Sequence, residues 1–119
     1  MNSNSCDYLL TGATGQVGRY LLRELVHLGN VTVVMRRPSI DLANAEISDL
    51  LGNLYYGAVY GVKVVLGDAR ECDLPIAKHI VNAAGYTHLA SVEYDRYWND
   101  NVMTAVRLAH VARQTRATL

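Results

Sequence analysis

A chain of 119 residues, 50% of them hydrophobic, has the length of one domain and enough apolar material for a real core. Its 11 Lys and Arg balance 11 Asp and Glu, which excludes an overall basic field for nucleic acid and an acidic tail. Any anion binding must be local. No stretch approaches the roughly 18 apolar residues of a membrane span, and Met1 to Ser5 lack the basic region of a secretory signal. Cys6 and Cys72 have no metal-ligand spacing, so the expectation is reduced thiols in a soluble, cytoplasmic protein without a metal site.

In chain order, Asp7 to Leu10 suit a first buried strand, and roughly Gly15 to Leu28 a first helix, with Val17, Leu21, Leu25 and Leu28 at helical spacing. The helix is expected to end at Gly29-Asn30. Val31 to Met35 is β-branched and apolar on both faces, the pattern of a parallel strand covered on both sides. Ile47, Leu50, Leu51 and Leu54 mark a second amphipathic helix, and Gly57 and Gly61 bracket a loop. Val62 to Leu66 reads as the third strand and His79 to Ala84 as the fourth, closed by Gly85. The last helix runs from about Tyr94 to Arg113, with Trp98, Val102, Ala105, Val106, Ala109 and Ala112 on its buried side.

Strands and helices alternating at this spacing predict a three-layer, Rossmann-like α/β fold. Its sheet is parallel and partial, with strand order 3-2-1-4 and right-handed crossovers. Strands 1 and 4 part at the switch point, where ligands bind at the carboxyl ends of strands. An outer edge left on strand four invites self-association or a completing chain.

Three loops converge on that end. The first, Thr11-Gly12-Ala13-Thr14-Gly15-Gln16-Val17-Gly18, lies between a strand and a helix and aims the helix's first N–H groups at an anion. Gly12 permits the tight turn, Gly15 lets backbone approach a pyrophosphate, and Gly18 lets helix and strand pack closely; the alternative is a plain turn that merely needs glycines. The candidate binding residues here are Gly12, Thr14, Gly15, Gln16, Val17 and Gly18.

The second loop follows strand two. Dinucleotide folds that use NAD place an acid there for the ribose hydroxyls, and this chain has Arg36 and Arg37. A guanidinium fork matches a 2′-phosphate, which favours NADP over NAD. Arg19, one residue after Gly18, is a third candidate for that phosphate; the alternative for all three is an ordinary solvated arginine. The third region joins Asp68-Ala69, offering a carboxylate to the adenine amino group, with Asn82-Ala83-Ala84-Gly85, small residues where the cofactor must lie close to backbone. Asp68 reads equally well as a turn cap.

TGATGQVG, MRRPS after strand two, GDA, NAAG and YWNDNV opening a helix together resemble the N-terminal half of an extended short-chain dehydrogenase/reductase. The turn followed directly by Arg19, with an Arg ending strand two, is similar to thioester and fatty-acyl reductases; sugar-nucleotide epimerases and dehydratases are the other close branch. The resemblance implies hydride transfer between NADPH and a carbonyl or thioester, and it gives Asn101 the place of an Asn that supports the active-site loop. It also implies a catalytic Tyr-x-x-x-Lys pair, in which the Lys charge lowers the phenol pKa.

That pair is absent, since Val59 and Leu74 stand four residues before the two lysines, Lys63 and Lys78. Residues 1–119 are therefore expected to form one NAD(P)-binding domain, truncated before the catalytic segment, with no catalytic residue of its own. A nucleotide-binding or cofactor-sensing protein completed by another chain is the competing expectation. Thr87 and His88 lie near where a nicotinamide would sit but have no partner acid or base. His27, His79, His110 and Trp98 are expected to be structural.

Overall fold

Strands and helices alternate along the computed structural model, which describes residues 5–52, 61–84 and 98–119. In order they are β1 (Ser5–Thr11), α1 (Gln16–Leu25), β2 (Val31–Met35), α2 (Ile40–Leu51), β3 (Val62–Leu66) and β4 (Ile76–Asn82). A π-helical stretch, Trp98–Met103, then runs into α3 (Thr104–Thr115). Every strand pairing is parallel, and the sheet order is β3-β2-β1-β4, as the sequence predicts.

The sheet separates two apolar layers, which makes the domain three-layered. On one face Leu10, Val31, Val33 and Met35 meet Leu22, Leu25 and Val26 of the first helical segment and Ala43, Ile47 and Leu51 of α2. On the other, Cys6, Leu9, Val34, Ala77 and Ile80 lie under Leu108 and Ala112 of α3. β2 is buried along its whole length, so its side chains feed both layers, as an unbroken Val-Thr-Val-Val-Met run requires. Burying one such aliphatic side chain contributes about 1.5–3 kcal/mol.

Strand ends follow the partner rather than the local pattern. β1 and β4 are both longer at the amino end than their apolar runs, because Ser5 and Cys6 pair with Ile76 and Ala77. At the other end β4 stops at Asn82 instead of Ala84, although the Ala83 N–H still donates to the Thr11 carbonyl (3.1 Å). α1 ends at Leu25, short of the expected Leu28. Leu28 N–H turns back to the Leu25 carbonyl (2.9 Å), a tighter i→i+3 bond. This tightening throws Leu28 into solvent (63% exposed), while Val17 at the other end is 66% exposed. The stripe that packs is Gly18, Leu22 and Leu25.

α3 departs furthest from expectation. Its buried positions are Thr104, Leu108 and Ala112, spaced by four, whereas Trp98 and Val106 are 58% and 56% exposed and Ala105 and Ala109 face solvent. A π-helical stretch closes i→i+5 bonds and holds more residues per turn than an α-helix. Extrapolating a 3.6-residue period through Trp98–Met103 therefore rotates the apparent stripe off the sheet. Beyond α3, Thr118 pairs in parallel with His79: Ile80 N–H donates to the Thr118 carbonyl (2.7 Å) and Thr118 N–H to that of Lys78 (2.9 Å). The outer edge of β4 is thus partly covered. Leu54, Gly57, Gly85, Thr87, His88, Tyr94 and Tyr97 lie outside the described residues.

Among the described glycines, the one with least room for a side chain lies where α1 meets the end of β1. A methyl built on Gly18 would sit 1.7 Å from the Gly12 carbonyl oxygen, whereas one on Gly61 meets nothing within 4 Å. Gly18→Ala should cost about 3 kcal/mol or more, as overpacking against rigid backbone does. Gly61→Ala should stay within about 0.5 kcal/mol of the parent or gain slightly. Urea unfolding of the two variants provides the comparison; a Gly18→Ala midpoint equal to the parent's would refute the contact.

Candidate functional site

The carboxyl ends of all the strands open on one cavity of about 270 Å³, lined by the Gly12 to Gly15 turn, Arg36, Arg37, Gly67-Asp68-Ala69 and Ala83-Ala84. The three loops singled out in the sequence therefore meet. Thr11, Val34, Met35 and Thr104 also line it, and like Ala13 and Gly67 they are not among the candidate binding residues. Thr11, Val34 and Met35 were findable as the last residues of their strands. Thr104 had no local signal, because it reaches the cavity only through the packing of α3.

The glycine turn is built as its spacing suggests. Gly12 has φ +74°, and a Cβ there would lie 2.4 Å from the Ala83 carbonyl carbon and the Ala84 nitrogen. A side chain is thus barred twice, by conformation and by the neighbouring loop. Gly15 differs: its backbone is extended (φ −75°, ψ 174°), and an added Cβ would meet only the Gly12 carbonyl oxygen at 3.4 Å. The protein itself does not need a glycine there. As the cap residue of α1 it offers no side-chain acceptor, and the first turn of that helix carries no acid. The positive end of the helix thus faces the cavity without an internal counter-charge.

The remaining loop residues stand behind or beside the cavity. Gly18 supports the turn from below. Gln16 and Val17 are exposed at the start of α1 and are not among the lining residues. Arg19 braces the turn: its Nη2 donates to the Thr14 carbonyl (3.0 Å) and its Nε to that of Gly15 (3.3 Å). Asn82 is not among the lining residues; its Oδ1 accepts the Thr11 hydroxyl (2.6 Å) and ties β1 to β4.

The two arginines after β2 part company. Arg37 grips Glu46 of α2 with a fork, Nε to Oε2 at 2.6 Å and Nη2 to Oε1 at 2.9 Å. That pairing raises the arginine's pKa and holds Glu46 below the usual carboxylate range. Arg36 is 61% exposed, with Nη1 at 3.7 Å from Asp68 Oδ2. Asp68 is a turn cap, as one of its two readings has it: Oδ1 accepts the Arg70 N–H (2.9 Å). Its carboxyl is lowered to about 2, chiefly by the side-chain hydrogen bonds from Arg70, with Arg36 adding a smaller pull. Arg107 of α3 fastens the same loop by donating from Nη1 to the Ala69 and Cys72 carbonyls (2.9 and 3.0 Å).

Chemically the cavity is a cradle of backbone and small side chains with a cationic rim. Among the described lining residues there is no Tyr, Lys or His. His79 lies away from it, stacked on Tyr8 with ring centroids 5.3 Å apart. Cys6 and Cys72 are free thiols, pushed up in pKa mainly by burial. Asn101 falls in the π-helical stretch and is half-buried. Among the described residues no cluster suits a metal ion, and no helix is long and apolar enough to cross a membrane.

The chain is similar in fold to several solved reductase structures. Over 98% of its length the chain superposes on the reductase domain of the aureusimine biosynthetic cluster, with TM-score 0.72 and 23% identity, covering 31% of that domain. A-type ketoreductases from a modular polyketide synthase give TM-score 0.70 at 19% identity, over 98% of this chain and 28% of theirs. A short-chain type dehydrogenase/reductase from Mycobacterium ulcerans gives 0.59 at 23%, over 95% and 46%. The chain thus spans less than half of each of these proteins, and at such identities the likeness concerns fold. No curated protein sequence matches. The profile of the NAD dependent epimerase/dehydratase family matches residues 8–119, from within β1 to the end of the chain, and the protein belongs to that family, of the extended short-chain dehydrogenase/reductase type.

Proposed function

We propose that this chain binds NADP(H) in preference to NAD(H), as the cofactor-binding portion of an extended short-chain dehydrogenase/reductase. The parent reaction would be hydride transfer to a carbonyl or thioester. One observation carries the reading: the exposed guanidinium of Arg36 stands on the rim of the same cavity that the glycine turn lines. The residues fit the cofactor. Gly15 leaves open the room a pyrophosphate needs, the start of α1 supplies N–H groups and dipole, and Ala83-Ala84 keep the opposite wall low. Arg36 would hold the 2′-phosphate. The bound nicotinamide supplies the hydride chemistry, and the protein's part is to bind and orient it.

By itself the chain is proposed to bind without turnover, because neither lysine is preceded at four residues by a tyrosine. Cytosolic residence fits its two free thiols. A second reading, a nucleotide binder completed through the β4 edge by another chain or a second copy, has one observation in its favour. Among the described residues this edge carries only the parallel bridge from Thr118 to His79, which supports that reading.

NADPH should bind more tightly than NADH in calorimetric titration. Arg36→Ala should shrink that preference about tenfold or more, the usual worth of a charge-assisted hydrogen bond; equal affinities in the parent chain would sink the NADP(H) reading. Gly15→Val places a branched side chain where the pyrophosphate rests. It should abolish NADPH binding while the unfolding free energy stays within about 0.5 kcal/mol of the parent's. Retained titration would contradict the placement of the phosphates.

A further inference from the structure

The Asp68 carboxylate stands between two guanidinium groups. Its Oδ2 is 2.5 Å from Arg70 Nη2 and 3.7 Å from Arg36 Nη1, and both of its oxygens also accept from Arg70 Nε (3.1 and 3.0 Å). Arg70 thus holds the carboxylate with several short bonds and Arg36 with one long contact. Arg37, the neighbouring cation, is taken up by Glu46. The cavity mouth at the ends of β2 and β3 is therefore governed by Arg36, Arg70 and the one acid they share.

We propose that Asp68 is a specificity-determining residue, setting the affinity gap between dinucleotides with and without a 2′-phosphate by competing with that phosphate for Arg36. The proposal rests on the NADP(H) reading of the site. A phosphate bonded to Arg36 at the usual distance of about 2.8 Å stands within a Debye length, about 8 Å, of the Asp68 carboxylate. It must tolerate a like charge and draw on a guanidinium whose charge Asp68 already offsets in part. A ligand without the phosphate does neither. Arg70 moderates the competition, since the more of the carboxylate it occupies, the less is left to hold Arg36. The two neighbours of Arg36 therefore act with opposite signs.

Titration of the whole chain with 2′-phospho-ADP-ribose and with ADP-ribose reads the gap directly, without any turnover. Asp68→Asn keeps the size of the side chain and an acceptor for the Arg70 N–H. It should widen the gap about three- to tenfold, the order expected for removing a partly screened like charge. Arg70→Gln should narrow it. A gap unchanged in both variants, a gap narrowed by Asp68→Asn, or an equal weakening of both ligands would overturn the proposal, the last by making Asp68 only a brace of its turn. Equal affinity of the parent chain for the two ligands would instead overturn the NADP(H) reading. If Asp68→Asn then opened a gap, the role of Asp68 would stand; if it did not, both would fall.

Discussion

The close approach of Gly18 to the Gly12 carbonyl sets the rest of the site. Because neither residue has a Cβ, α1 can start directly against the last residue of β1, and its axis points at the space above the sheet. Gly12 in turn lies against the Ala83-Ala84 backbone, within a distance that any side chain would violate. Three chain segments are thereby stacked with almost no intervening volume: the helix start, the turn and the end of β4. Interiors packed at this density do not deform gradually, so the cavity floor is a rigid consequence of two missing methyl groups. The Thr11 to Asn82 hydrogen bond (2.6 Å) closes the same junction from the strand side.

Charge is organised on the same local scale. A chain with formal net charge +0 has no long-range field to offer an anion, so attraction must come from fixed groups at the sheet's carboxyl end. The start of α1 supplies partial charge with no acid in its first turn, and Arg36 supplies a full one at the rim. Glu46 removes Arg37 from that account by pairing with it, and Asp68 draws on both Arg70 and Arg36. A cavity mouth with two acids near three arginines is tuned rather than simply basic.

What the sequence made legible tracks how local the deciding physics is. β2 and β3 were readable to the residue, because unbroken β-branched runs flanked by turn residues leave no competing pattern. The amino ends of β1 and β4 were not, since Ser5-Cys6 and Ile76-Ala77 are too short to read as strand by themselves and become strand by pairing with each other. The stripe of α3 was misread because a π-helical stretch shifts its phase, and nothing in WNDNVM announces that bond pattern. Site residues divide in the same way. Glycine roles follow from backbone geometry and were legible. The fates of Arg19 and Arg37 depend on which acceptor each finds, carbonyls in one case and Glu46 nine residues away in the other. Side-chain identity alone could not decide between a ligand and an internal partner.

That division separates what the fold demands from what a ligand demands. Gly12 and Gly18 are explained entirely by the protein, through positive φ and backbone contact, so their presence would be required even if the cavity bound nothing. Arg37, Arg19 and Asn82 are likewise accounted for by internal hydrogen bonds. Gly15 is the exception: its conformation suits any residue, and its Cβ would meet only one atom, at 3.4 Å. Glycine is an accepted cap residue, about as good as Thr, so capping tolerates Gly15 without requiring it, and the helix start that faces the cavity is left bare. In the reading proposed above, that bareness serves a backbone-hugging anion such as a pyrophosphate, whose approach a side chain there would obstruct.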